Sequence, residues 1–115
     1  MKPRATVLGA LAVAAALPAW AQRPLSGMEL FVARDKGYCI SCHQLPAGVG
    51  PPSTSDLGPR LEGARMRALG KAGIRAAIVD PAAANANTLM PPFGRHRILD
   101  DQEIDRIVEF LNGLP

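Results

Sequence analysis

Cysteine and histidine are both scarce in this chain. Its 115 residues hold two cysteines, Cys39 and Cys42, and two histidines, His43 and His96. A zinc site with four good ligands therefore exists only if both histidines converge on both cysteines. Tryptophan occurs once, as Trp20, and aromatic residues make up 4% of the sequence, so the side chains alone make a thin core. No run of lysine or arginine is interleaved with aromatics, and the formal charge of +3 is not the footprint of a nucleic-acid binder. No segment shows the alternating period of a half-buried strand, and no internal repeat is visible.

Long hydrophobic runs are missing too. The longest apolar stretch, residues 5–17, is well short of the ~20 residues that span a bilayer. It follows Lys2 and Arg4 and leads through Pro18 to Ala19-Trp20-Ala21, the order of a secretory signal peptide. Residues 1–21 are expected to be cleaved after Ala21, leaving one domain over residues 22–115; a retained membrane anchor is the weaker reading. Cleavage removes two basic residues and Trp20, leaving eleven basic against ten acidic residues and a formal charge of +1. The remaining aromatics are Phe31, Tyr38, Phe93 and Phe110.

The few cysteines stand together, as Cys39-Ile40-Ser41-Cys42-His43. The spacing C-x-x-C-H is the attachment site of a c-type haem. Two intervening residues let both sulfurs face one porphyrin edge, and the next residue, the histidine, is turned under the ring to ligate the iron. A redox dithiol and half of a zinc site compete with this reading. Export supports the haem, because periplasmic c-type cytochromes receive it after translocation. A domain of fewer than 100 residues hides only about 60% of the surface its unfolded chain exposes, and a buried porphyrin would complete the core. The haem-free chain is therefore expected to fold poorly.

Ser26-Gly27-Met28-Glu29 has the S-x-x-E form of a helix capping box. A helix of about ten residues should follow and end at Gly37. Gly27 and Phe31, four apart, create a face that can approach another helix closely. The partner is expected at the C-terminus, where Asp100 or Asp101 can cap and Ile104, Ile107, Val108 and Leu111 share one face. A middle helix of two to three turns fits residues 69–79, ended by Asp80-Pro81. Residues 44–61, rich in proline and glycine, read as a long ordered loop. The fold class is all-α: three main helices with long loops.

An iron bound by His43 has a second axial position, for which Met28, Met66, Met90, His96 or an open site are the candidates. Met90 is preferred because Pro91-Pro92-Phe93-Gly94 follows it; two prolines make a stiff extended loop that loses less entropy on closing over the haem. Met28 is expected in the core, Met66 between Arg65 and Arg67 on the surface, and His96 between Arg95 and Arg97 in solvent. The other ring nitrogen of His43 should donate to a carbonyl, and Pro59 in Gly58-Pro59-Arg60-Leu61 offers one. Filling both axial sites favours electron transfer over catalysis.

The helix with Gly27 and Phe31, the C-x-x-C-H motif, the G-P-x-L segment, the methionine loop and a C-terminal helix with Phe110 together resemble the class I cytochromes c. More narrowly, residues 37–46, then Ile78-Val79-Asp80-Pro81, then Met90-Pro91-Pro92-Phe93-Gly94 with Ile98-Leu99 resemble the SoxX family, monohaem subunits of the periplasmic SoxAX complex. The resemblance implies a class I cytochrome c fold around one covalent haem c. It also implies a heterodimer with a SoxA-like cytochrome subunit, which carries the reactive cysteine. Thiosulfate is then joined oxidatively to a cysteine of the SoxYZ carrier, with electrons passing through this chain to a downstream acceptor. Both cysteines here are consumed by thioethers, so the sulfur-transfer thiol must lie on another chain. The mature domain has no tryptophan for a haem propionate, and Tyr38, Arg60 or another donor must substitute. A freestanding electron shuttle to a terminal oxidase or reductase shares every one of these ligands. A haem-free thiol-redox protein is the remaining alternative.

Overall fold

The computed structural model describes Met1 and residues 22–115; the expected leader over residues 1–21 otherwise lies outside them. Among the described residues there are three α-helices, α1 (Gly27–Val32), α2 (Gly63–Val79) and α3 (Asp101–Asn112), with short 3-10 turns and no strand. None of these helices is long and apolar enough to cross a membrane.

Local chemistry sets the ends of α1 and α3. Ser26 accepts from the Glu29 backbone N–H while the Glu29 carboxylate accepts from Ser26 N, and Asp100 and Glu103 form the same reciprocal pair on α3. The α1 helix is shorter than its sequence suggests. It stops at Val32, Ala33 turns extended, and a separate 3-10 turn, Arg34–Lys36, runs to Gly37. The Ala33 carbonyl accepts from both Lys36 N and Tyr38 N, which bends the chain toward Cys39 where a continued helix would carry it away.

The face formed by Gly27 and Phe31 does approach a second helix. A Cβ at Gly27 would overlap the Arg106 carbonyl oxygen and Phe110 Cβ. The Phe31 and Phe110 rings meet edge to face, with centroids 6.0 Å apart and planes at 62°. Leu30, Phe31, Ile104 and Ile107 are almost completely buried between these elements.

Helix α2 begins at Gly63, six residues ahead of the expected start. Gly63 N donates to Pro115 O, and Arg67 donates to Leu114 O at 2.7 Å. These tertiary contacts hold a first helical piece that few apolar residues mark. At Gly70 the backbone leaves helical geometry (φ 67°, ψ 166°), a left-handed value that glycine adopts without steric cost, and α2 is kinked there. Two side-chain expectations are corrected. Met66 is 3% exposed and belongs to the core, whereas Met28 is 39% exposed. On α1 the inward positions are taken by Gly27, Leu30 and Phe31, which leaves Met28 pointing outward over Gly50.

On the surface, Arg75 joins α2 to Asp101 and Asp105 of α3, and Lys71 pairs with Glu109 at 2.7 Å. Such exposed pairs are each worth well under about 1 kcal/mol. Glu103, nearly buried, receives Lys36 at 2.7 Å and thereby ties the turn before the cysteines to α3.

Candidate functional site

The turn after α1 delivers the cysteines. Gly37 (φ 110°) and Tyr38 (φ 47°) both lie in the left-handed region, and the chain then enters a 3-10 turn, Cys39–Ser41. Ser41 closes it by donating its hydroxyl to Tyr38 O at 2.7 Å. The Cys39 carbonyl accepts from Cys42 N at 3.1 Å and from His43 N at 3.0 Å. One tight turn thus brings both thiols and the imidazole together. The two sulfurs are not joined in a disulfide, and both residues are half-buried.

His43 is held from the far side of the long loop. Its Nδ1 lies 2.7 Å from Pro59 O, and since a carbonyl can only accept, Nδ1 carries a proton and Nε2 is the ring nitrogen left to bind a metal. The ring rests on Gly58, where a Cβ would stand 2.5 Å from Cε1 and 2.7 Å from Nδ1. Gly58 N in turn donates to Cys42 O at 2.8 Å. Glycine therefore makes room for the ring and proline presents the acceptor. Gly58 as a seat for His43 was hidden in the sequence; its only signal was a glycine directly before the proline.

The loop over residues 44–61 has neither helix nor strand, yet several of its polar groups are paired. Gln44 donates to Ser55 O at 2.8 Å and accepts from Leu61 N through its own carbonyl at 2.9 Å, and Ser53 donates to Ile40 O at 2.9 Å. These bonds order a segment that would otherwise be free to move.

Met90 is half-buried and packs against the apolar core that Cys39 and Tyr38 also border. Its backbone N donates to the Thr88 hydroxyl at 3.1 Å, a local tie the T-x-M spacing could have suggested. Beyond it, Phe93 is buried, and Ile98 N and Leu99 N both donate to Phe93 O. His96 is exposed, as its neighbours imply. Arg60 is engaged by Glu62 at 3.2 Å and Gln44 at 3.2 Å, and Tyr38 lies under the Arg34 guanidinium, 5.2 Å from its ring centre.

Among the described residues no group of three or more His, Cys, Asp or Glu side chains is gathered to hold a metal ion, which leaves zinc without a ligand set. Burial pushes the Cys39 thiol up to about 11. The donor set present is two thiols one turn apart, an oriented imidazole with Nε2 free, and a thioether at the edge of the same core. That set fits a covalently attached haem. The haem supplies a one-electron iron couple when bound.

No curated protein and no solved structure matches this chain. The family described as cytochrome c oxidase, cbb3-type, subunit III does match, over residues 22–111. That span takes in the capped first helix, both thiols, His43, the methionine loop and most of α3, so the chain belongs to this family of class I c-type cytochrome domains and carries one covalent haem c on Cys39 and Cys42.

Proposed function

We propose that this electron-transfer cytochrome is the monohaem subunit of a periplasmic thiosulfate-oxidising complex of the SoxAX kind, with residues 1–21 as its export signal and His43 and Met90 as axial ligands. The observation that carries the electron-transfer part of the reading is the His43 Nδ1 to Pro59 O bond of 2.7 Å; the SoxAX assignment rests on the sequence resemblance. The bond leaves Nε2 as an oriented donor, and His43 and Met90 together would hold the iron from both sides, which would leave no place for a substrate. Methionine with histidine also raises the reduction potential, which suits an acceptor of electrons from sulfur.

The chemistry balances across this chain, the carrier and a SoxA-like partner. Thiosulfate and a cysteine thiol of the SoxYZ carrier form one sulfur–sulfur bond and release a proton and two electrons. The chain takes up one electron at a time and passes it to a downstream acceptor. It has no thiol of its own to give, since Cys39 and Cys42 are the only two, so the nucleophilic steps belong to a SoxA-like partner.

A second reading is a freestanding shuttle that serves a terminal oxidase or reductase; the matched family is described as a subunit of such an oxidase. Co-expression with a SoxA-like chain followed by size exclusion separates the two. The subunit reading expects a stable heterodimer at physiological salt; a monomer that binds weakly and only at low salt supports the shuttle. The ligand assignment has its own test in Met90→Ala, which should abolish the weak sulfur-to-iron charge-transfer band of the oxidised protein and lower its potential. A band that survives removes Met90 from the iron.

A further inference from the structure

We infer that Phe93 is a positioning residue for Met90 and acts through its contact with Gly37. The inference rests on the reading of Met90 as an axial ligand.

Gly37 adopts φ 110°, and a Cβ there would stand 2.6 Å from Phe93 Cε1 and 2.9 Å from Cδ1. The Phe93 ring therefore lies directly on the Gly37 backbone, in a space that no other residue at position 37 would leave. Gly37 is two residues from Cys39, and Phe93 is three from Met90. This one contact joins the segment that holds the haem covalently to the segment that carries the thioether.

The methionine loop is organised around the same residue. Phe93 is 6% exposed. Its carbonyl accepts from Ile98 N and Leu99 N at 2.9 and 3.1 Å, and its N–H donates to Pro91 O at 3.1 Å. Next to it, Gly94 N donates to Ile78 O at 3.4 Å and Arg95 N to Val79 O at 3.0 Å, which pins the loop to the end of α2. On the other side of Met90 there is little: Leu89 is 88% exposed, and Met90 N is tied only to Thr88. The position of Met90 is thus set from its C-terminal side, by a ring seated on Gly37 and a backbone seated on α2.

A thioether is a weak ligand, so the loop opens from time to time and an added ligand competes for the vacated position. Its apparent affinity scales with the fraction of open loop. Imidazole, titrated into the oxidised holoprotein and followed by visible absorbance, reads that fraction. Phe93→Ala should raise the imidazole affinity by about tenfold or more. Phe93→Leu, which keeps most of the side-chain volume, should give a smaller rise and carries the test where the alanine variant fails to take up haem. Gly27→Ala serves as the control for general destabilisation, because it crowds the α1–α3 contact and touches neither Gly37 nor the loop.

An unchanged imidazole affinity in both Phe93 variants, or an equal rise in Gly27→Ala, overturns the inference. Met90→Ala keeps the two questions apart. If it changes neither the charge-transfer band nor the imidazole affinity, the ligand reading fails and takes the inference with it. If Met90→Ala alters both while the Phe93 variants alter neither, only the positioning role falls.

Discussion

Nδ1 of His43 stands 2.7 Å from the carbonyl oxygen of Pro59, and the same ring rests on Gly58. The two partners are sixteen positions apart in the chain, and the loop's own hydrogen bonds hold that distance. A methyl group at position 58 would stand 2.5 Å from Cε1, so the ring must tilt and the bond to Pro59 must lengthen. Loss of such an outer partner typically costs about 10–100-fold in metal affinity. Gly58→Ala should therefore weaken electron donation from His43 and raise the reduction potential of the holoprotein, read by spectroelectrochemistry. An unchanged potential would show that the loop absorbs the methyl without moving the ring.

The α1–α3 contact is built on the absence of a side chain. Gly27→Val should destabilise the holoprotein by about 1–3 kcal/mol through overpacking against Arg106 and Phe110. A denaturant titration with an unchanged slope and a lowered midpoint is the expected result. A midpoint equal to wild type would mean that α1 shifts bodily at no cost.

Glu29 gives a pH-dependent prediction. The Arg23 side chain, helped by the Ser26 backbone and hydroxyl, holds its carboxyl down to about 2. A carboxyl lowered in the folded state contributes stability above its ordinary value, and that contribution is lost as pH falls toward the folded value. The contribution from Glu29 is thus complete at neutral pH and fades between about pH 4.5 and 2. The pair is exposed, so the effect is small and screened by salt. Arg23→Ala should move the Glu29 titration, followed by NMR, part of the way back toward about 4.3. The Ser26 bonds keep it from returning fully; a titration that does not move would exclude the ion pair in solution.

The haem-free chain is the remaining test. A Cys39→Ala, Cys42→Ala double variant cannot form thioethers, and a domain this small hides only about 60% of its unfolded surface. Its amide spectrum should be poorly dispersed and its thermal unfolding broad. A sharp cooperative transition would show that the helices form a complete core unaided.

Much of this arrangement was legible in the residues because it depends on short-range chemistry. The two capping boxes, the C-x-x-C-H turn and the apolar stripe of α3 are each set by neighbours within a few positions. The hydrogen bond from His43 to Pro59 was legible for a different reason: G-P at residues 58 and 59 offers a fixed carbonyl wherever the loop brings it. The early start of α2 was not legible. Its first turns carry few apolar residues, and they are held by carbonyls of Leu114 and Pro115 about fifty positions away.

The burial of the methionines divides in the same way. Their neighbours in the sequence put Met28 in the core and Met66 on the surface, and packing reversed both, with Met66 buried and Met28 exposed. The sequence by itself determined the cofactor, because covalent attachment needs two thiols and an imidazole at one fixed spacing. Tertiary structure alone decided how the pieces of the site support one another: Gly58 under His43, Phe93 on Gly37, the chain's end against Gly63. Those contacts depend on the space left between segments distant in the chain, and no local pattern of residues records that space.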